Sequence, residues 1–157
     1  MKKLKITSVL MFSIILVSMI LISCKENSTE NSLETQKTDI SILEKEIELR
    51  LGEYETLLKN GDSIALGNMY TLDAEIIPST LGRANIIKVF GSMIRDSVTG
   101  SFKTTNLWGN DELLVEQGTG NWYSGDGIDV SSGSYLLVWK KEDGQWKILR
   151  DTWFPDR

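Results

Sequence analysis

This 157-residue chain contains no histidine, the most common acid–base group of enzymes. Carboxylates and tyrosines are therefore the first candidates for acid–base chemistry. The lack of imidazole excludes a histidine-containing catalytic triad and a histidine-based metal site. The stretch 126–129 lacks the ligand spacing of a calcium-binding loop, and we interpret it as a strand connection. Gly118-Thr119-Gly120 lacks the strand-turn-helix context of a phosphate-binding loop, and a bulge or close packing explains it better. We therefore expect neither a metal ion nor a cofactor.

Asp151 is the carboxylate of greatest interest, because Arg150 precedes it and Trp153 follows two positions later on the same face of a predicted strand. One interpretation is an acid or hydrogen-bonding group beside an aromatic wall. The alternative is a surface ion pair with a helix, which contributes little to stability. Glu75 and Glu116 could each face either the inside or the solvent, since alternate positions of a strand face outward.

The predicted C-terminal hairpin, 135–153, contains three of the five tryptophans. Asp143-Gly144 at its centre predicts a two-residue turn, because both residues tolerate positive φ. Such a turn pairs Trp146 with Lys141, Ile148 with Trp139, and Arg150 with Leu137. The pairing divides the side chains between two faces: Trp139, Trp146 and Ile148 on one, and Val138, Leu149, Asp151 and Trp153 on the other. Both faces are partly apolar, so we predict a homodimer through the sheet.

The tryptophans fall into two groups by their position on the predicted strands. Trp139 and Trp146 lie near the turn, where core packing explains them. Trp108, Trp122 and Trp153 lie near strand ends, where they would form the rim of a pocket.

Three helices are predicted ahead of most of the strands. Apolar residues spaced by three and four from Ile40 to Leu58 predict the first helix, with Asp39 as its N-cap and Gly61 as its left-handed stop. Asp62 is predicted to cap a short second helix that reaches Tyr70. A short strand at 75–77 ends at Pro78, and an apolar face within 86–94 predicts the third helix.

Four further strands are predicted from runs of Val, Leu, Thr, Trp and Tyr separated by Gly, Asn and Asp. They span 102–107, 113–123, 133–141 and 146–153. Helices followed by a meander of strands indicate the α+β class, with an antiparallel sheet packed on helices.

The first 24 residues predict where the protein is located. Lys2, Lys3 and Lys5 precede an uncharged, apolar run of 17 residues, and Leu21-Ile22-Ser23-Cys24 resembles the bacterial lipobox. We predict that residues 1–23 are a lipoprotein signal peptide and that lipidated Cys24 anchors the protein to a membrane of the cell envelope, on a periplasmic or surface-facing side. The alternative is an uncleaved membrane anchor, for which 17 residues is a lower limit.

Composition divides the rest of the chain into a tether and one domain. Residues 24–38 are polar and predict a flexible tether, whereas 39–157 have the length of a single domain. Cys24 is the only cysteine, so no intrachain disulfide is possible. Loss of the signal would change the net charge from −5 to −8, with 14 basic and 22 acidic residues. This charge argues against nucleic acid as a partner.

Three stretches resemble the nuclear transport factor 2-like superfamily, also called the SnoaL-like or ketosteroid-isomerase-like fold. EYETLLKNGDSIALGNMYTLDAEI, from residue 53, is similar to the first two helices and their Asn-Gly-Asp corner, and GRANIIKVFGSM resembles the third helix. YLLVWKKEDGQWKILRDTWFPD resembles the last hairpin in a branch of small bacterial domains. The resemblance implies a cone-shaped, curved antiparallel sheet of about four to six strands, wrapped around three N-terminal helices and enclosing a pocket.

The resemblance also allows the isomerase chemistry to be compared residue by residue. It implies that Tyr54 occupies the position of the oxyanion-hole tyrosine, Pro78 that of the general base, and Leu136 approximately that of the second oxyanion donor. Proline cannot accept a proton, so ketosteroid-type isomerisation is not expected. Tyr54 also lies on the apolar stripe of its helix, where a core role is the alternative.

These features predict a membrane-anchored envelope lipoprotein whose pocket binds a small apolar or aromatic molecule without catalysis. The candidate pocket residues are Tyr54, Tyr70, Trp108, Trp122, Trp153 and Asp151. Two alternatives stay open: a SnoaL-like enzyme of the isomerase, lyase or cyclase type, and an accessory subunit that binds another protein.

Overall fold

The computed structural model describes residues 30–157, with side chains from residue 40 onward. The predicted signal peptide, Cys24 and the first part of the predicted tether lie outside the described residues. The chain divides into two units, Met1–Gln36 and Lys37–Arg157, and the domain considered below is the second. Within residues 30–157, no helix is both long enough and apolar enough to cross a membrane.

The described residues contain three helices: α1 (Glu30–Asn60), α2 (Ser63–Asn68) and α3 (Arg83–Arg95). Because α1 begins at Glu30, Asp39 lies inside the helix, and its predicted role as N-cap is wrong. The corner after α1 is as predicted, with Gly61 at a φ of 76°. The Asp62 side chain accepts a hydrogen bond from the Ala65 N–H at 2.9 Å and caps α2.

Six strands form one curved sheet: β1 (Tyr70–Ile76), β2 (Thr80–Leu81), β3 (Thr99–Gly109), β4 (Leu113–Tyr123), β5 (Asp129–Glu142) and β6 (Gln145–Pro155). Their order across the sheet is β2-β1-β6-β5-β4-β3. The α+β class and the predicted strand number are confirmed. One detail differs, because β1 pairs with β6 in parallel whereas the other pairings are antiparallel. Tyr70 begins β1 and does not end a helix.

The hairpin of β5 and β6 turns at Asp143-Gly144, where both residues have positive φ as predicted. Trp146 pairs with Lys141, and Ile148 pairs with Trp139, also as predicted.

A bulge at Leu149 shifts the remainder of the hairpin by one residue. Beyond it, Leu137 pairs with Asp151 and Tyr135 pairs with Trp153, so the predicted pairing of Arg150 with Leu137 is wrong. The extra residue reverses the face of every side chain that follows it. Asp151 and Trp153 therefore share the inner face with Trp139, contrary to the prediction.

The inner face of the sheet packs against the helices and contains the core. Trp139 and Trp146 are buried there, together with Ile47 and Leu58 of α1 and Phe90 of α3. These positions confirm the predicted core role of the two tryptophans near the turn and the predicted apolar stripe of α1.

Two carboxylates of α1 attach this helix to the sheet. Glu46 accepts a hydrogen bond from the indole N–H of Trp146 at 2.7 Å, and Glu55 accepts one from the Phe102 backbone N–H at 2.6 Å. The pKa of Glu46 is lowered, chiefly by the Trp146 hydrogen bond. These bonds fix α1 over the inner face, where the candidate site lies.

Gly118 and Gly120 allow aromatic rings to lie directly on β4. A Cβ at Gly118 would approach the Tyr135 ring to 2.1 Å, and a Cβ at Gly120 would approach the Phe102 ring to 2.4 Å. Both glycines are therefore sites of close packing, which confirms one of the two interpretations of the Gly-Thr-Gly stretch.

Candidate functional site

A cavity of about 50 Å³ lies between α1 and the inner face of the sheet. Of the described residues that line it, Asp151 is the only one with a charged side chain. Aliphatic side chains line part of it: Leu51, Leu137 and Ile148. Aromatic rings line the rest: Tyr54, Tyr70, Phe102, Trp122, Tyr135, Trp139 and Trp153.

Five of the six predicted pocket residues line this cavity: Tyr54, Tyr70, Trp122, Trp153 and Asp151. Trp108 does not. It pairs with Val115 on the outer face of the sheet and is 50% exposed. Strand alternation explains the difference, since Leu107 is the buried neighbour that faces inward.

Sequence reasoning missed several wall residues, of which Phe102 and Tyr135 matter most. Both rings lie over glycines of the neighbouring strand β4. A glycine in β4 paired near an aromatic residue on an adjacent strand could therefore have identified these two rings as inward-facing. Tyr135 also alternates with Leu137 and Trp139 on β5, which places all three on one face.

The aromatic rings hold one another in place through edge-to-face contacts. Phe102 is central, with ring centroids 5.7 Å from Tyr54, 5.0 Å from Trp122 and 5.9 Å from Tyr135. Trp122 in turn contacts Trp153 at 6.1 Å. Trp122, Trp153 and Phe102 are only partly buried, so they form the solvent-facing side of the cavity. Such perpendicular contacts fix the wall in shape without filling the space.

Asp151 and two tyrosines lie together in the cavity. The Tyr70 hydroxyl donates to Asp151 Oδ2 at 2.6 Å. Tyr54 lies close enough to Tyr70 and Asp151 for the charge of Asp151 to raise the pKa of both tyrosines. Among the described residues, no group other than Tyr70 donates to the Asp151 carboxylate.

The pKa of Asp151 is raised to about 6, because the surrounding wall desolvates the carboxyl group. The Tyr70 hydrogen bond opposes this shift, and the nearby charge of Glu116 adds to it. Desolvation also raises the pKa of Tyr54 and of Tyr70 well above the ordinary tyrosine value, so both remain protonated. Asp151 is thus a group whose charge changes between about pH 5 and 7.

The surface ion-pair interpretation of Asp151 is wrong, because the bulge at Leu149 directs this side chain inward. Its neighbour Arg150 faces outward and forms the ion pair instead, with Glu75 at 3.7 Å. Both partners of that pair are about one-third exposed, so the contribution to stability is small.

Glu116 is the second carboxylate on the inner face, and it is fully buried. Its Oε1 accepts hydrogen bonds from the Thr104 hydroxyl at 2.6 Å and the Tyr135 hydroxyl at 2.7 Å. Its Oε2 accepts one from the Trp139 indole N–H at 2.7 Å. Glu116 does not line the cavity itself, but it orients two of the rings that do.

Metal binding finds no support in the part of the chain that the structure describes. No three His, Cys, Asp or Glu side chains among residues 40–157 are grouped so that they could hold a metal ion. Asp126 belongs to the connection between β4 and β5, where its carboxylate accepts a hydrogen bond from Ser124. The interpretation of this stretch as a strand connection is confirmed.

The chain resembles known proteins in three-dimensional structure. No family model matches the chain, and no curated protein matches its sequence. An NTF2-like protein with a cystatin-like fold from Novosphingobium aromaticivorans is 15% identical, with a TM-score of 0.63 over 80% of this chain and 90% of that one.

Two further solved structures agree with this result. A protein of unknown function from Mycobacterium tuberculosis is 22% identical, with a TM-score of 0.65 over 78% of this chain and 76% of that one. ActVI-ORFA from Streptomyces coelicolor is 15% identical, with a TM-score of 0.59 over 73% of this chain and 95% of that one. The chain has a nuclear transport factor 2-like fold. This confirms the fold that the resemblance implied, and identities this low carry no more than the fold.

Proposed function

We propose that this protein binds a small molecule in the aromatic cavity, with an apolar body between the rings and a hydrogen-bond donor directed at Asp151. One observation carries the proposal: a carboxylate with a single protein donor lies in a cavity otherwise lined by aromatic and aliphatic side chains. Enclosed apolar cavities with few polar groups are the usual form of a small-molecule site.

The cavity volume limits the size of the ligand. About 50 Å³ corresponds to a few water molecules, since one water needs roughly 10–15 Å³ by the same measure. The ligand is therefore a small molecule, or one that leaves part of its body outside between Trp122 and Trp153. These two rings are half-buried, which leaves them free to contact the outer part of a ligand.

A matched pair of substitutions tests whether the cavity is the binding site. Leu137 lines the cavity, whereas its neighbour Leu136 faces the other side of the sheet and is 36% exposed. Leu137→Phe should abolish binding of phenol, a donor-bearing aromatic probe, in isothermal titration calorimetry with the full chain, and Leu136→Phe should preserve it. Equal phenol affinity in both variants, or no binding to the unmodified protein, would contradict the proposal.

The proposed location is the cell envelope, with attachment to a membrane through lipidated Cys24. The support is the basic start, the apolar run and the Leu-Ile-Ser-Cys sequence. Cells grown with an alkyne-labelled fatty acid should label the protein and leave Cys24→Ala unlabelled. Equal absence of label in both proteins would contradict lipidation and favour an uncleaved anchor.

A second candidate is an enzyme that uses Asp151 as an acid–base group. The observation in its favour is the pKa of about 6, which suits a group that exchanges protons near neutral pH. The orientation of Tyr70 argues against it, because the hydroxyl proton of Tyr70 is directed at Asp151. This hydroxyl is then not free to stabilise an oxyanion. Turnover of a bound compound that Asp151→Asn abolishes without loss of binding would favour the enzyme.

The outer face of the sheet supports a proposal about partners. Trp108, Leu113 and Leu136 are 50%, 44% and 36% exposed, and strand pairing places them on one face. Exposed apolar groups on one sheet face suit an interface, so we propose a homodimer through this face. Leu136→Glu should convert the dimer to a monomer in light scattering. A monomeric parent protein would contradict the homodimer and leave this face to a different protein, as an accessory subunit would require.

A further inference from the structure

The cavity carries negative charge without a compensating cation. No lysine or arginine is among the described residues that line it, and Asp151 is its one charged side chain. Glu116 adds a second carboxylate behind the wall formed by Tyr135 and Trp139, and it is close enough to influence Asp151. A ligand in the cavity would therefore experience a field that favours positive charge.

Three donors of the wall are already used within the protein. Tyr70 donates its hydroxyl proton to Asp151, and Tyr135 donates its own to Glu116. The Trp139 N–H is also directed at Glu116. These three groups have no proton left for a ligand, whereas the Asp151 carboxylate has unused acceptor capacity.

The rest of the wall is aromatic, which also suits a cation. Aromatic rings attract organic cations through the negative potential over their faces, and the effect grows when the site is dry. A neutral apolar ligand would fit the rings but would leave a partly buried, ionised carboxylate with one hydrogen bond, at a cost in free energy.

The geometry points to a small organic cation of the alkylammonium class as the ligand, with its positive centre beside Asp151 and its alkyl groups against the aromatic rings. This inference rests on the proposed function, because it specifies the chemistry of the molecule that the same cavity binds.

A pair of probes with the same shape tests the charge directly. Choline and 3,3-dimethylbutan-1-ol differ in the replacement of a quaternary nitrogen by carbon, so their apolar contacts are nearly the same. In calorimetric titrations of the full chain at pH 7.5, choline should bind about tenfold or more tightly than the alcohol, as expected for a cation in an aromatic, acidic site.

Two variants with the same change in charge locate the interaction. Asp151→Asn should weaken choline binding about tenfold and leave the affinity for the alcohol within about twofold, because it removes charge and keeps shape. Asp111→Asn, on an exposed turn, should change neither affinity. Choline carries a fixed charge, so lowering the pH from 7.5 to 5 should weaken its binding up to about tenfold as Asp151 takes up a proton.

The titratable groups that face Asp151 are Tyr70 on β1, Tyr54 on α1 and Glu116 on β4. The two tyrosines stay protonated over this pH range, since burial raises the pKa of each. Equal or tighter binding of the alcohol would overturn the cation inference and leave the proposed function intact. Failure of choline, the alcohol and phenol alike to bind would overturn both.

Discussion

Two carboxylates on the inner face of the sheet, Glu116 and Asp151, occupy contrasting environments. Glu116 is fully buried and accepts three hydrogen bonds, from Thr104, Tyr135 and Trp139. Asp151 is partly buried, accepts one, and lines the cavity. A buried charge with a full set of donors stabilises the fold that surrounds it, whereas one with a single donor is available to a ligand. The number of donors thus distinguishes Glu116, which supports the fold, from Asp151, which we propose contacts a ligand.

The first prediction tests the structural role of Glu116 and should give the largest effect. Glu116→Gln replaces one carboxylate oxygen by an NH₂ group, which is a donor. In one orientation of the amide this group would face the Thr104 and Tyr135 hydroxyls, and in the other it would face the Trp139 N–H. The free energy of unfolding should fall by about 2–3 kcal/mol, measured by urea denaturation. Glu112→Gln, an exposed control, should change it little. A variant as stable as its parent would remove the distinction between the two acids.

The second prediction concerns a substitution that displaces Tyr135, one of the donors to Glu116, without changing Asp151. Gly118→Ala would place a methyl group 2.1 Å from the Tyr135 ring and push its hydroxyl away from Glu116. We expect a loss of about 2 kcal/mol in the free energy of unfolding, typical of overpacking. Gly52→Ala is the matched control, because nothing lies within 4 Å of its added Cβ, and it should raise helix stability by up to about 1 kcal/mol. Equal effects in the two variants would contradict the packing described here.

The third prediction concerns Asp151, whose replacement should increase the free energy of unfolding instead of lowering it. Its pKa is about 6 in the folded protein and 3.8 ordinarily, so the folded state binds this proton more tightly than the unfolded state. The stability that the group contributes therefore falls as the pH rises from about 4 to 6. Asp151→Asn should stabilise the ligand-free protein by about 1–2 kcal/mol at pH 7.5, and the gain should shrink towards pH 4. Thermal unfolding at several pH values measures this difference, with Asp111→Asn as the control. A destabilised variant at pH 7.5 would mean that Asp151 is structural, like Glu116.

The sequence permitted the local features of the fold to be predicted, because each depends on a few adjacent residues. The stop at Gly61, the cap at Asp62 and the turn at Asp143-Gly144 all occur where backbone preference required them. The start of α1 was wrong, since Asp39 resembles a cap but the chain before it continues the helix.

The candidate site could be predicted only in part, because it depends on register. Tyr54 and Tyr70 were identified as pocket residues, but the inward direction of Asp151 requires the bulge at Leu149. Alternation of apolar and polar residues gives no signal for one extra residue in a strand whose two faces are both partly apolar. The direction of Glu116 was not predictable either, because both faces of β4 carry apolar residues and its three donors come from β3 and β5.

The most direct test of the account is the titration of the Asp151 carboxyl carbon by ¹³C NMR in the full chain, with the resonance assigned by its absence in Asp151→Asn. We predict a midpoint near pH 6 without ligand, and a lower midpoint in saturating choline, because a bound cation favours the ionised form. A midpoint close to the ordinary value of 3.8 that choline leaves unchanged would contradict the placement of this carboxylate in a desolvated binding cavity.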